Sequence, residues 1–249
     1  MMMEKSVAIA IQARIASQRL RGKVFERLAN GVSVIESCLF NAFDAKNKLH
    51  FGRSGMSVKV YLLAPFDEEK VWYEWVEAFN HNNSTDLKLI LGHPSNVFER
   101  YKSLQLMEEP DYIVRLTGDC PLIDSSIIVS IIKDAVKGYH DYTSNVYPEI
   151  RTHPDGTDVE VISSSLMRWA ISQEKRMTDF AKEHVTPIMR EKPPSWASIA
   201  HIGLPGLDES HIKYSVDTRE DLDRINKLIM NRITKKDIAE SKGIKYYEI

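Results

Sequence analysis

The chain has 249 residues, 43% of them hydrophobic and 27% charged, with a formal net charge of −2. That length suffices for one α/β domain with a sizeable core, or for a core with a small appended subregion. The balanced charge speaks against a nucleic-acid partner or a membrane-surface partner. Two cysteines, Cys38 and Cys120, cannot build a disulfide framework and fit no zinc spacing, so a reducing cytoplasm is expected. No apolar stretch reaches membrane-spanning length, and the run Val7–Ile11 is too short for a signal-peptide core.

Val7 to Ile11 is apolar at every position, the pattern of a strand buried on both faces. A basic loop follows, then helical spacing from about Ser33 to Phe43. Residues 44–57 are polar and contain Gly52, Ser54 and Gly55, which predicts a long mobile loop. Val58 to Ala64 reads as a second buried strand, and Glu68 to Asn80 as a helix with Val71, Trp72, Trp75, Val76 and Phe79 at helical spacing. Leu87 to Leu91 is a third strand. Asn96 to Glu108 is a helix stopped by Pro110. Tyr112 to Leu116 is a fourth strand, and Asp124 can cap a helix from Ser125 to Lys137. This alternation predicts an open, mostly parallel sheet in one domain, with ligands beyond the carboxyl ends of the strands. From about 139 to 215 the pattern turns irregular, so a mixed β lid or dimerisation subregion is expected there. No internal repeat is visible.

Four segments carry chemistry. Arg14 to Lys23 holds four cations (Arg14, Arg19, Arg21, Lys23) and no acid. Arginine forks and a lysine point charge suit a triphosphate, and the small residues Ala13, Ala16 and Ser17 let backbone N–H groups approach phosphate. A solvated loop would have the same charge, but its place after a buried strand favours phosphate. It is not a Walker A loop, for it lacks the Gly-Lys-Ser/Thr end. Asp119, in Thr117-Gly118-Asp119-Cys120-Pro121, suits Mg²⁺, which takes one or two carboxylates plus phosphate oxygens. Asp124 is better placed for the cap, which leaves Asp119 free. Thr218 with Asp221 has the form of a capping box, and Asp217 just before it is either a turn residue or a second metal ligand. Asp158 and Glu160 share one strand face by period two, and could meet acceptor hydroxyls or solvent. Glu183-His184 is either a structural pair or a functional one.

Taken in order, these segments resemble the spore coat polysaccharide biosynthesis protein F group of cytidylyltransferases, relatives of acylneuraminate and CMP-KDO synthetases. The matching pieces run from Ile11-Gln12-Ala13-Arg14 and Gly22-Lys23-Val24 through Asn96-Val97-Phe98-Glu99-Arg100-Tyr101. The most specific follows, Arg115-Leu116-Thr117-Gly118-Asp119-Cys120-Pro121-Leu122-Ile123-Asp124. Then come Pro154-Asp155-Gly156 with Asp158-Val159-Glu160-Val161, Glu183-His184-Val185-Thr186-Pro187, and Val216-Asp217-Thr218. The resemblance implies a nucleotide-diphospho-sugar transferase fold, Rossmann-like, and often a homodimer. It implies nucleotide contacts from Gln12, Ala13, Arg14, Ser17, Arg19, Lys23, Arg115, Thr117 and Gly118, with Arg14, Lys23 and Asp119 catalytic. It implies Mg²⁺ on Asp119 and Asp217, and acceptor contacts from Asp155, Asp158, Glu160, Glu183 and His184. The chain departs from the family pattern at Ala16, Gln18 and Arg21, where Gly, Thr and Pro are usual, and 44–57 looks longer than the usual connection.

The expected reaction is transfer of CMP from CTP to a sugar acid or related acceptor, with pyrophosphate leaving, in surface polysaccharide or glycan precursor synthesis. Two alternatives compete with it. A glycosyltransferase of similar fold would carry an Asp-X-Asp motif, which does not follow the fourth strand. A non-catalytic nucleotide-binding protein would bind CTP without releasing pyrophosphate.

Overall fold

The computed structural model describes residues 4–51, 55–147 and 150–241. Seven strands form a single sheet in the order β3-β2-β1-β4-β6-β5-β7. Four parallel strands make its first half: β1 (Lys5–Gln12), β2 (Met56–Pro65), β3 (Lys88–Gly92) and β4 (Tyr112–Thr117). Beyond β4 lie β6 (Glu160–Ser163), β5 (Tyr142–Ser144) and β7 (Ile199–His201). β6 runs antiparallel to both β4 and β5, and β5 pairs parallel with β7. The irregular residues after 139 therefore extend the same sheet, and only β6 runs against the rest. The result is the expected open, mostly parallel α/β sheet.

The sheet is covered on both faces, as its uniformly apolar strands require. Val7, Ile9 and Ile11 of β1 pack into one core with α1 (Val34–Phe51), α2 (Glu69–Asn83) and α4 (Ser125–Gly138). Ala8 and Ala10 face the other core, with α3 (Val97–Glu108), α5 (Ser164–Ser172), α6 (Asp179–His184) and α7 (Pro187–Glu191). A third cluster joins α8 (Arg219–Ser241) to Leu28, Val34 and Val216, bringing the C-terminal segment back to the basic loop.

The expected caps form. Asn96 accepts from the Glu99 amide at 3.3 Å and Asp124 from the Ser126 amide at 2.6 Å. Thr218 and Asp221 exchange bonds reciprocally at 3.2 and 3.1 Å. The expected mobile loop at 44–57 is not what forms. Residues 44–51 continue α1, and β2 begins at Met56. Ala42, Ala45 and Leu49 are fully buried and keep the helical period. Lys46 and Lys48 only line the polar face, paired with Asp86 at 2.6 Å and Asp44 at 3.0 Å. Gly52 and Ser54 lie outside the described residues.

Candidate active site

An open cleft of about 490 Å³ lies at the carboxyl ends of β1 and β4. These adjacent strands are where the chain order reverses, with β2 on one side and β4 on the other, the usual place for a ligand in an open α/β sheet. Gly118 is fixed by contact here. A Cβ on it would lie 2.8 Å from Ile35 Cδ1 and 3.0 Å from Ala13 Cβ. Its amide donates to the Gln12 carbonyl at 2.8 Å, which zips the two strand ends together.

Lys23 is the centre of the charge arrangement. It is 8% exposed, and its ammonium lies 2.7 Å from Asp119 Oδ2 and 3.0 Å from Asp217 Oδ1. Arg19 adds a contact to Asp217 Oδ1 at 2.8 Å, and Lys213 one to Oδ2 at 3.0 Å. Burial works against the Lys23 ammonium, but Asp119 and Asp217 outweigh it and hold its pKa above the ordinary lysine value. Burial likewise opposes the Asp217 carboxylate, while Lys23 and Lys213 keep it below the usual range. A backbone bond from the Val216 amide to the Asp119 carbonyl at 2.8 Å sets the two acidic segments side by side.

The residues expected on the acceptor side come from the segment before β6, with Asp155 and Asp158, and from the end of α6, with Glu183 and His184. Gly156 (φ +93°) is pressed on the backbone of Tyr214 and Ser215, so closely that a Cβ could not fit. Asp155 accepts from Ser215 Oγ at 2.9 Å. Asp158 is held by Arg151 at 2.5 Å, yet burial outweighs that pairing and pushes its carboxyl up to about 6. Glu183 reaches across the cleft to Arg14 at 3.5 Å, both half-exposed. The His184 ring lies 4.3 Å from the exposed Phe180 ring, tilted by 43°, and burial lowers its pKa.

All the residues expected at the site line this cleft except Glu160. β6 begins at Glu160, so Asp158 precedes the strand and faces the cleft without sharing a strand face with it. Glu160 is 2% exposed. It pairs with Arg115 and accepts from Tyr142 at 2.5 Å and Thr186 at 2.6 Å. Burial opposes its charge, but Arg115, Thr186 and Tyr142 keep its pKa low. Its oxygens are taken, so it serves as an anchor for Arg115 and not as an acceptor contact. Arg115 Nε is buried without a partner.

Two further residues had no assigned role in the sequence reading. Arg100 is 1% exposed and borders the cleft, donating to the carbonyls of Pro94 at 2.8 Å and His93 at 3.1 Å. Burial lowers its pKa to about 10. Its helical spacing from Val97 and Leu104 was the available signal. Glu68 accepts from the Ile15 and Ala16 amides, each at 2.8 Å. Of the small residues expected to let amides approach phosphate, Ala16 has its amide bound to this carboxylate, and Ser17 has its amide on the Ile15 carbonyl at 2.8 Å.

The cytidylyltransferase family pattern matches residues 95–246, more than half of the chain. The chain belongs to the cytidylyltransferase family. It is similar to the spore coat polysaccharide biosynthesis protein SpsF of Bacillus subtilis (strain 168). The two are 25% identical over 242 residues, which is 96% of this chain and 92% of that protein. Among solved structures, a cytidylyltransferase from Leptospira borgpetersenii superposes with a TM-score of 0.74 at 23% identity, covering 99% and 100% of the two chains. A CMP:2-keto-3-deoxy-manno-octonic acid synthetase complexed with CTP gives a TM-score of 0.61 at 16% identity, covering 91% and 99%. The protein is therefore a nucleotidyltransferase. No helix among the described residues is long and apolar enough to cross a membrane.

Proposed function

We propose that this cytidylyltransferase moves CMP from CTP to a sugar acid or a related acceptor, releasing pyrophosphate, to make a precursor of a surface polysaccharide or glycan. The observation that carries this reading is the meeting of Lys23, Asp119 and Asp217 at one point of the cleft, with Arg14 and Arg19 beside them. An acceptor oxygen would attack the α-phosphorus, and the bond to the β-phosphate oxygen would break. Arg14, Arg19 and Lys23 would neutralise the charge that gathers on the departing pyrophosphate, already oriented before the reaction begins.

Asp119 and Asp217 are the residues that would hold Mg²⁺. Their chemistry fits a hard cation, for they are carboxylates close enough to share one ammonium. Among the described residues no cluster of three potential ligands stands ready by itself, so phosphate oxygens and water would complete the shell. A bound divalent ion supplies Lewis acidity and a template for the phosphates. The acceptor would lie against Asp155, Asp158, Glu183 and His184, whose oxygens and ring nitrogen suit hydroxyl groups.

The test is pyrophosphate release from each of the four ribonucleoside triphosphates, with Mg²⁺ and a panel of sugar acids and sugar phosphates. CTP should be the substrate, and should raise the thermal midpoint more than ATP, GTP or UTP, since selective binding stabilises the native state. Equal shifts with all four would count against selectivity for CTP.

A further inference from the structure

We infer that Glu68 is a positioning residue that holds the cationic loop in its phosphate-facing form; the inference rests on the proposed binding of CTP in this cleft. Glu68 stands at the N-cap position of α2, just past the end of β2. Its carboxylate accepts from the Ile15 amide at 2.8 Å, from the Ala16 amide at 2.8 Å, and from Trp72 Nε1 at 2.9 Å. Trp72 is fully buried one turn further along α2, and its ring lies 5.2 Å from that of Phe25. Phe25 ends the short 3-10 turn that begins at Lys23. One turn of helix thus grips the loop at its entry, through Glu68, and just past its exit, through Trp72.

Between those grips the loop is closed by its own backbone. The Ile15 carbonyl accepts from the amides of Ser17 at 2.8 Å and Gly22 at 2.9 Å. Ile15 is therefore the pivot of the turn. Its amide is tied to Glu68, and its carbonyl to both limbs of the loop. A loop carrying Arg14, Arg19, Arg21 and Lys23 repels itself, so a carboxylate behind it offsets that cost and fixes its shape. Two adjacent amides can also bind a phosphate directly, which would make Glu68 a plug that a nucleotide displaces. The placement favours a clamp: Glu68 does not line the cleft, and Trp72 anchors its carboxylate from the core side.

The experiment compares wild type, Glu68→Gln, Glu68→Ala and Trp72→Phe. It measures Mg²⁺–CTP affinity by calorimetry, and the rate of tryptic cleavage within residues 14–23 in the absence of nucleotide. The clamp predicts CTP affinity about tenfold weaker in Glu68→Gln, the scale of one charge-assisted hydrogen bond, and weaker still in Glu68→Ala. It also predicts faster cleavage inside the loop, with cleavage elsewhere unchanged. Trp72→Phe keeps an aromatic side chain in the core and loses the Nε1 donor, so it should shift both readouts the same way by less. It decides the matter if the Glu68 variants fail to fold. Unchanged affinity and unchanged cleavage would overturn the clamp, and tighter CTP binding in Glu68→Gln would establish the plug instead. If wild type itself binds no CTP, the functional reading falls, while the cleavage rates still decide whether Glu68 holds the loop.

Discussion

Lys23 and Arg14 sit in the same cationic loop and should behave differently when removed. Lys23 has a 10% exposed side chain between two carboxylates, whereas the Arg14 side chain is 45% exposed and pairs with Glu183 at 3.5 Å. Lys23→Ala leaves Asp119 and Asp217 facing each other in a half-buried site. It should cost about 2 kcal/mol of stability, below the range for a fully buried pair because Asp217 keeps Arg19 and Lys213. Arg14→Ala should be nearly neutral in stability. Both should weaken triphosphate binding by about 1.5–3 kcal/mol, the scale of a charged hydrogen bond. Urea titration gives the first quantity and CTP calorimetry the second, and equal stability of the two variants would contradict the burial argument. The loop's charge was legible in the sequence, as was its place after a buried strand. Lys23's burial was not, because it depends on Asp217, which arrives from the far end of the chain. What the Ile15 and Ala16 amides bind was hidden too, because Glu68 lies 53 and 52 residues further along the chain.

Helices and strands carry their own lesson in β4 and β6, whose register sets Arg115 opposite Glu160. Period-two alternation placed Asp158 and Glu160 on one face, an inference that needs a strand running through both. The strand starts at Glu160, after the tight packing of Gly156 on Ser215, so the alternation does not apply at Asp158. Glu160 is left to neutralise Arg115 in the interior. Glu160→Gln would strand a buried guanidinium against a neutral partner and should destabilise by about 3 kcal/mol. Thr186→Val, which removes one hydrogen bond to the same carboxylate, should cost about 1 kcal/mol. Lys70→Ala is the control. Its pair with Glu74 at 4.0 Å is exposed on both sides and should contribute almost nothing. Denaturant midpoints rank the three, and a Glu160 variant no less stable than the other two would mean that the Arg115 pair does not hold the junction of β4 and β6. The second half of α1 was hidden by the polarity of residues 44–57, although Ala42, Ala45 and Leu49 keep the buried helical spacing. Polar residues on the outer face of a helix say nothing against the helix.

At the scale of the whole molecule, the site exists because the C-terminal segment returns across the top of the sheet. The third apolar cluster ties α8 and Val216 to Leu28 and Val34 on either side of the turn after Lys23, and the Val216–Asp119 backbone bond closes the circuit. Whether Asp217 was a turn residue or a partner of Asp119 stayed open in the sequence, since the capping box explains the local pattern without it. The structure brings both carboxylates to one ammonium, but Asp217 also has ties of its own. Its amide donates to Asp221 at 3.0 Å, and its carboxylate meets Lys213. If the two carboxylates act as one unit on a shared divalent ion, Asp119→Asn and Asp217→Asn should each remove most metal-dependent pyrophosphate release. The double variant should then be scarcely worse than either single one, because a unit cannot be lost twice. The near-isosteric changes leave the backbone hydrogen bonds from the Asp217 amide to Asp221 and from the Val216 amide to the Asp119 carbonyl intact, so the fold of both single variants should persist. If Asp217 serves only to shape the entry to α8, its variant should keep turnover and Mg²⁺ dependence close to wild type while Asp119→Asn loses both. Pyrophosphate release measured against Mg²⁺ concentration for the two single variants and the double variant separates these outcomes. Additive losses would mean that each carboxylate contributes on its own and that the two share no single ion.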